Sequence, residues 1–136
     1  MLFPLHLQLE GKRVLVVGAG PVGVRRAQAA AACGADVLVV APEVPDDLGL
    51  RVEHRPFVPA DLDGVWLVLS CTGVIDGEVA ALCAERRTWC VRADEAALSD
   101  AWVPAVGRKD EVVVSVTAGR DPRRSVALRD AFLEKL

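Results

Sequence analysis

The chain has 136 residues, of which 52% are hydrophobic and 26% are charged, and its net charge is −3. This length fits one domain, and we expect a single domain over residues 1–136. The acidic balance argues against a nucleic-acid-binding protein, which usually carries a basic surface. No apolar run is long enough to span a membrane, and the first ten residues do not resemble a signal peptide. We therefore expect no nucleic-acid partner and no membrane association.

The cysteines and histidines are not spaced like metal ligands. The two histidines lie far apart, and no Cys-x-x-Cys pair exists among Cys33, Cys71, Cys83 and Cys90. A zinc or iron–sulfur site is not expected. Cys71 and Cys90 lie in or beside apolar strand patterns, which predicts buried, reduced thiols and a cytoplasmic location.

Strand and helix patterns alternate through the first two thirds of the chain, which is typical of a parallel sheet with helices packed on it. The predicted strands are residues 13–17, 36–40, 51–55, 65–70 and 88–92, and the predicted helices are 22–33 and 76–86. The segment 41–50 contains two prolines and a glycine, so at most one turn of helix is expected there. A brief turn is predicted at 59–62.

The pattern changes after residue 101. Two strand-like runs, 102–107 and 111–117, are separated by Arg108, Lys109 and Asp110, which predicts a hairpin with its turn at these three residues. A final helix is predicted to begin near Pro122 or Ser125 and to run towards the last residue. Residues 107–136 contain seven basic and five acidic side chains, a net charge of +2, so the rest of the chain carries −5. This asymmetry indicates an anionic ligand near the C-terminal third.

A glycine motif joins the first strand to the first helix. Gly18, Gly20 and Gly23 form a G-x-G-x-x-G, with Pro21 and Val22 at the start of the helix. In a strand–turn–helix context this spacing predicts a dinucleotide site. The first glycine permits the tight turn, the second lets a pyrophosphate approach the backbone, and the third lets helix and strand pack closely. A turn without ligand is the alternative. The motif favours an α/β, Rossmann-like parallel sheet with flanking helices, followed by a C-terminal β-hairpin and helix.

An acidic residue after the second strand commonly bonds the adenosine ribose in such folds. Glu43 stands 20 positions after Gly23 and follows Pro42. A carboxylate there would repel the 2′-phosphate of NADP, so Glu43 favours NAD as the cofactor. A solvated loop glutamate is the alternative interpretation.

Several local patterns in the same order resemble the precorrin-2 dehydrogenase family, the N-terminal NAD-binding module of siroheme synthases. The matching segments cover essentially the whole chain: Leu2–Leu7, Leu9–Arg13, Arg25–Arg26, Arg55–Phe57, Asp61–Leu62, Trp66–Val68, Cys71–Thr72, Cys90–Asp94 and Trp102–Ala105. The segment Thr117–Pro122 departs from the family's usual S-x-G-x-S-P, so the loop on the substrate side differs. In the family a dimerisation segment follows the hairpin and helix.

The resemblance implies NAD-dependent oxidation of precorrin-2 to sirohydrochlorin in siroheme biosynthesis, by a homodimer. Many family members also insert ferrous iron as a substrate, which makes ferrochelatase activity a further expectation. Asp94 would be the active-site carboxylate, and Pro21, Val22, Pro42 and Glu43 would contact NAD. Thr72 is expected to line the same cleft.

Asp94 also has a chemical reason to be catalytic. It follows the fifth strand, and ligands of open parallel sheets bind beyond the carboxyl ends of the strands. A cofactor that accepts only a hydride leaves a proton for a nearby base. The alternative is that Asp94 caps the helix that begins in the segment after it. A carboxylate-rich tetrapyrrole also needs cationic donors, and the candidates are Arg92, Arg108, Lys109, Arg120, Arg123 and Arg124.

Other functions remain open at this point. The chain could be a sensor module that binds NAD without catalysis, which would need the glycine motif but not Asp94. It could also be one module of a fused uroporphyrinogen-III methyltransferase, or a different dehydrogenase that has lost its substrate domain.

Overall fold

The computed structural model describes all 136 residues, and their contacts divide the chain into two compact units, 1–101 and 102–136. The first unit contains a five-stranded parallel sheet with the strand order β3-β2-β1-β4-β5. Its strands are β1 (Arg13–Val17), β2 (Asp36–Val40), β3 (Arg51–Glu53), β4 (Leu67–Ser70) and β5 (Trp89–Arg92). Its helices are α1 (Pro21–Ala32) and α2 (Asp76–Glu85), with short 3₁₀ helices at Pro59–Leu62 and Ala96–Leu98. This confirms the predicted fold class.

Both faces of the sheet are covered, which explains why β1 is an uninterrupted apolar run. Val14 and Val16 pack into the cluster that contains Ala27 of α1. Leu15 and Val17 point to the opposite face, into the cluster that contains Val79 of α2. Successive strand residues point to opposite faces, so a strand covered on both sides must be apolar throughout.

The second unit is a hairpin with one helix on it. Strands β6 (Ala105–Lys109) and β7 (Val112–Val116) pair antiparallel, and α3 (Pro122–Glu134) follows. The Asp121 side chain accepts a hydrogen bond from the Arg124 N–H at 3.0 Å and so caps α3. This unit agrees with the predicted hairpin and helix, except in the position of the turn.

The predicted turn at Arg108, Lys109 and Asp110 is wrong by about two residues. Arg108 and Lys109 are the last residues of β6, and the loop consists of Asp110 and Glu111. Two-residue hairpin loops match the twist of the strands but need a positive φ, and Asp110 supplies it with φ of 54°. Aspartate adopts this conformation more readily than most residues. The prediction instead assigned the whole charged run to the turn and so placed it too early.

The remaining differences are at the ends of elements. The third strand stops at Glu53 and the fourth begins only at Leu67, because pairing along the sheet ends there. The segment 41–50 contains no helix, as its two prolines and glycine predicted. Cys90 is buried as expected, whereas Cys71 is only half-buried. None of the helices combines the length and apolar character needed to cross a lipid bilayer.

Two helical glycines provide a matched test of this packing. A Cβ atom on Gly23 of α1 would collide with the Gly18 carbonyl oxygen, whereas one on Gly77 of α2 would meet the Arg92 side chain at an ordinary 3.7 Å. We expect Gly23→Ala to lower the free energy of unfolding in urea by about 1–3 kcal/mol through overpacking. Gly77→Ala should be neutral or stabilising by up to about 1 kcal/mol, because alanine is the better helix former. Equal effects of the two substitutions would contradict the close packing of α1.

Candidate functional site

The turn after β1 is pressed against the end of β4. Gly18 has φ of 98°, and a Cβ atom on it would lie 2.7 Å from the Cys71 carbonyl oxygen. Gly23, in the first turn of α1, lies so close to the Gly18 carbonyl that no side chain fits, and a Cβ atom on it would be in ordinary contact with the Cys71 side chain. Burial raises the pKa of the Cys71 thiol, so at neutral pH it is an uncharged packing group below this turn. The first and third glycines of the motif therefore have the packing roles that their spacing predicts.

The middle glycine faces open space instead. Gly20 precedes α1 with φ of −71°, and a Cβ atom on it would have no atom within 4 Å. The first hydrogen bond of the helix runs from Val24 N–H to the Gly20 carbonyl at 2.9 Å. The N–H groups of Val22 and Gly23 precede that bond and have no helical carbonyl to bond. With no acidic side chain in the first turn of α1, this helix end suits an anion such as a diphosphate.

A cavity of about 200 Å³ lies beside this turn, at the carboxyl ends of the strands. Its walls come from the end of β1, the end of β2 with Pro42, the segment after β3, and the loop after β4: Val17, Gly18, Val40, Ala41, Pro42, Pro56, Phe57, Thr72, Val74 and Ile75. The order of the strands reverses between β1 and β4, and open α/β sheets bind their ligands at that reversal. The cavity therefore fits a largely apolar group attached to an anion at α1, as in a dinucleotide.

Asp76 shapes the loop after β4, and the sequence analysis missed it. This buried carboxylate accepts hydrogen bonds from the Ser70 hydroxyl, the Thr72 hydroxyl (2.9 Å), the Thr72 N–H (3.0 Å) and the Gly73 N–H (2.8 Å). Burial raises the pKa of Asp76, but these donors outweigh it, so the pKa lies below its usual value. An aspartate at the first position of a helix, just after a Ser-x-Thr-Gly segment, was the available signal.

The same network determines how Thr72 can act. Its hydroxyl donates to Asp76 and accepts hydrogen bonds from the Val74 N–H (3.1 Å) and the Ile75 N–H (3.0 Å), while its own N–H also bonds Asp76. Thr72 lines the cavity, as predicted for a cofactor-binding residue, but its polar atoms are engaged within the loop. It can therefore offer a ligand shape and apolar surface, not a free donor.

A second network of hydrogen bonds holds the opposite wall of the cavity, in the segment after β3. The Arg55 guanidinium donates to both Asp61 oxygens, at 3.0 and 2.6 Å, and to the Pro56 carbonyl at 3.1 Å. Asp61 also accepts from the Val58 N–H at 2.8 Å. Burial raises the pKa of Asp61. The hydrogen bonds from Arg55 and from the Val58 N–H lower it by more, so the pKa lies below its usual value. These bonds hold the two ends of the segment that contains Phe57, a residue of the cavity wall. The Arg-Pro-Phe and Asp-Leu patterns of the sequence thus belong to one structural unit.

Asp94 lies two residues beyond β5 and is held by Arg92. Arg92 Nε donates to Asp94 Oδ1 at 3.0 Å, and Arg92 Nη2 donates to Oδ2 at 2.9 Å. The side chains of Arg92 and Asp94 are 13% and 29% exposed. The hydrogen bonds from Arg92 hold the pKa of Asp94 below its usual value. Both residues were predicted site residues, but the structure pairs them with each other, which the sequence did not indicate.

Asp94 is not the cap of the helix that follows. The residue before the 3₁₀ helix Ala96–Leu98 is Glu95, and its side chain accepts a hydrogen bond from the Ala97 N–H at 3.2 Å. The capping role considered for Asp94 therefore belongs to Glu95. Asp94 pairs with Arg92 at the edge of the sheet where β4 and β5 end side by side, and the backbone N–H groups of Asp94 and Glu95 also act on its carboxylate.

The other predicted cations do not form one cluster. The hairpin–helix unit carries Arg108, Lys109, Arg120, Arg123 and Arg124. The first two lie at the turn end of the hairpin and the other three lie where α3 begins, near the far end at which Ala105 pairs with Val116. The length of the strand, roughly 13 Å, separates the two groups. Arg92 belongs to the first unit, and Glu43 is an exposed loop residue just after Pro42.

A family model described as "Putative NAD(P)-binding" matches residues 5–105, which is most of the chain and nearly all of the first unit. The chain belongs to this NAD(P)-binding family. Its cofactor is therefore a nicotinamide dinucleotide, in agreement with the glycine turn and the cavity beside it.

Curated relatives narrow the family further. The siroheme synthase of Pseudomonas putida (strain W619) is 38% identical over 141 residues, covering 96% of this chain and 30% of that protein. The siroheme synthase of Chromobacterium violaceum (strain ATCC 12472) is 37% identical over 128 residues, covering 86% of this chain and 27% of that protein. The predicted resemblance to the NAD-binding module of siroheme synthases is confirmed. The chain spans less than a third of the length of these relatives.

Solved structures agree on the fold. SirC, precorrin-2 dehydrogenase, superposes with a TM-score of 0.82 at 22% identity, covering 99% of this chain and 71% of that chain. The apo-structure of D-lactate dehydrogenase from Escherichia coli gives a TM-score of 0.52 at 18% identity, covering 68% of this chain and 31% of that chain. At these identities the likeness shows the fold alone.

The buried carboxylate of Asp76 gives a prediction about acid stability. Because its pKa is lower in the folded protein than its ordinary 3.8, it stabilises the fold above about that pH, and this contribution is lost as the pH falls through the lowered value. Asp76→Asn cannot accept the Gly73 N–H, so it should lower the free energy of unfolding at pH 7 by about 1–3 kcal/mol. The difference between wild type and variant, from urea titrations, should shrink below about pH 4. A difference that is independent of pH would contradict the assignment.

Proposed function

We propose that this protein oxidises precorrin-2 to sirohydrochlorin with NAD. The observation that carries the proposal is the position of Asp94, just beyond β5, at the same edge of the sheet as the glycine turn after β1 and the loop after β4. This arrangement supports a site in which a dinucleotide and an acid–base group act on one substrate. The similarity to siroheme synthases supports the choice of substrate, and the fold is shared with SirC, precorrin-2 dehydrogenase.

The proposed cofactor seat is made mainly of backbone. Gly18 and Gly23 keep the turn tight, and Gly20 leaves its outer side open. The N–H groups at the start of α1, with Pro21 and Val22 beside them, would bond the diphosphate. Thr72 and Pro42 would form walls of the cavity for the adenosine.

We further propose a preference for NAD over NADP. Glu43 follows β2 and is exposed at the edge of the sheet where the adenosine ribose is expected. Its carboxylate would accept a hydrogen bond from a ribose hydroxyl and repel a 2′-phosphate. The loop around it contains no helix, and no basic residue lies between residues 41 and 50 that would attract such a phosphate.

Asp94 would act as the base. The bound dinucleotide supplies an acceptor for a hydride and leaves the accompanying proton of the substrate to be removed. Asp94 would take that proton and pass it to solvent, which its 29% exposure permits. The reaction then balances, since precorrin-2 loses a hydride and a proton and NADH and a proton are produced.

The basic side chains would hold the carboxylates of the tetrapyrrole. Arg92 is the candidate in the first unit. The hairpin–helix unit supplies two separate groups of candidates, Arg108 with Lys109 and Arg120 with Arg123 and Arg124. Two groups separated by roughly the length of a strand suit a wide ligand with carboxylates around its rim better than a small anion.

Three expectations remain predictions. They are iron insertion with ferrous iron as the substrate, assembly as a homodimer, and a cytoplasmic location. The four free cysteines support the last of these, because reduced thiols persist in a reducing compartment.

Gly20→Val tests the cofactor seat. The side chain would project into the open space in front of the turn, and since φ is −71° the backbone tolerates it. We expect an unchanged thermal unfolding midpoint but at least a tenfold weaker affinity for NAD by calorimetry, because the diphosphate could no longer approach. Gly20→Ala should have a smaller effect. Unchanged affinity in the valine variant would exclude the proposed seat.

Asp94→Ala tests the base. In an anaerobic assay of NADH formation with precorrin-2, turnover should fall about a hundredfold or more, as is usual when an acid–base group is lost. The affinity for NAD should be unchanged. Glu95→Gln is the matched control, because it alters the neighbouring carboxylate, and it should retain turnover. Full activity in Asp94→Ala would remove this residue from the mechanism.

A further inference from the structure

The pair between Arg92 and Asp94 conflicts with the role proposed for Asp94. Both carboxylate oxygens are engaged by the guanidinium, in two parallel hydrogen bonds of 3.0 and 2.9 Å. Bidentate pairs of this kind are among the strongest hydrogen bonds in proteins. A carboxylate held in this way keeps free lone pairs, but the guanidinium lowers its pKa and so makes it a weaker base. If Asp94 is the base, it is therefore a stronger one when the pair is open.

The two partners are not equally free to move. The Arg92 main chain is part of β5, with its N–H bonded to the Ser99 hydroxyl at 2.9 Å. Its guanidinium packs over the start of α2, close to Gly77, where a Cβ atom would lie 3.7 Å from Nη2. Asp94 lies beyond the strand, and its side chain is more than twice as exposed as that of Arg92. The arginine is therefore the fixed partner and the aspartate the exchangeable one.

We infer that Arg92 is a positioning residue for Asp94, and that a carboxylate of the substrate displaces Asp94 from the Arg92 guanidinium and thereby frees it to act as the base. The inference rests on the proposed function. An incoming carboxylate offers the guanidinium the same two hydrogen bonds that Asp94 gives up, so the exchange leaves the cation paired. The base would then become available only when a carboxylate-bearing ligand is bound.

The charges around the pair agree with this exchange. The acidic groups that act on the Arg92 guanidinium are Asp94 and, from α2, the buried Asp76. Asp76 is saturated by its own donors and cannot replace Asp94. Once Asp94 leaves, the pKa of its carboxyl group should rise towards the ordinary value, because hydrogen bonding by Arg92 is the main cause of its depression.

The experiment measures binding of uroporphyrin, a stable carboxylate-rich tetrapyrrole, by fluorescence titration. Arg92→Gln should weaken binding about tenfold, which corresponds to about 1.4 kcal/mol. Asp94→Ala should tighten it several-fold, because it removes the competitor for the guanidinium. The double variant should bind like Arg92→Gln. Arg86→Gln, an exposed arginine of the same unit, is the control and should bind like wild type.

A merely structural pair would give a different pattern. Weaker binding in Asp94→Ala, or unchanged binding in Arg92→Gln, would overturn the inference. If Arg92→Gln does not fold, Arg92→Lys keeps the charge but loses the bidentate geometry, and its binding should be intermediate. NMR titration of the Asp94 carboxyl carbon gives an independent reading, since saturation with uroporphyrin should raise its pKa in the wild type. An unchanged pKa would also contradict the exchange.

These measurements do not depend on turnover, so the two proposals can fail separately. If Asp94→Ala keeps full turnover but binds uroporphyrin more tightly, the exchange stands and the proposed base is wrong. If turnover collapses but binding weakens, Asp94 is the base and the exchange is wrong.

Discussion

The close backbone contacts of Gly18 with Cys71 and of Gly23 with Gly18 are the constraint on which the rest of the structure depends. Helix α1 can lie across β1 and β4 only because neither glycine carries a side chain. This contact aims the N-terminus of α1 at the edge of the sheet where the segments after β2, β4 and β5 also gather. Any side chain at these two positions would push the helix away and separate its free N–H groups from the cavity beside them. The orientation of the helix N-terminus and the cavity beside it thus both follow from these contacts.

Three aspartates near this edge show how environment divides one residue type into different roles. Asp76 is buried and the Asp61 side chain is only 5% exposed; both accept several hydrogen bonds and fix the two loops that form opposite walls of the cavity. Asp94 has Arg92 as its main partner and remains partly exposed. A buried, saturated carboxylate is costly to disturb, whereas a partly exposed pair can change partners. Exposure and the number of hydrogen-bond donors therefore distinguish Asp61 and Asp76, which hold loops in place, from Asp94, whose carboxylate can change partners.

The sequence predicted the parts of this structure that depend on local patterns. Strand β1 and the glycine turn were predictable because a short apolar run and this glycine spacing are each typical of one local structure. The hairpin turn was predicted slightly too early because the whole charged run from Arg108 to Asp110 was assigned to it, although only Asp110 favours the positive φ that the turn needs. The Asp76 network and the pairing of Arg92 with Asp94 depend on side chains meeting across neighbouring segments. Likewise, the basic residues of the hairpin–helix unit looked like one group along the chain, but the strand between them keeps them apart.

Most of the lining of the cavity is main chain or apolar, since the polar atoms of Thr72 are engaged within its own loop. A pocket formed by backbone N–H groups and turns places few demands on which residues line it. The fold itself tolerates wide divergence in sequence, as the shared architecture at 22% identity with SirC shows. Substitutions that weaken coenzyme binding would then be concentrated at a few glycines. Most other substitutions in the lining would have little effect on it.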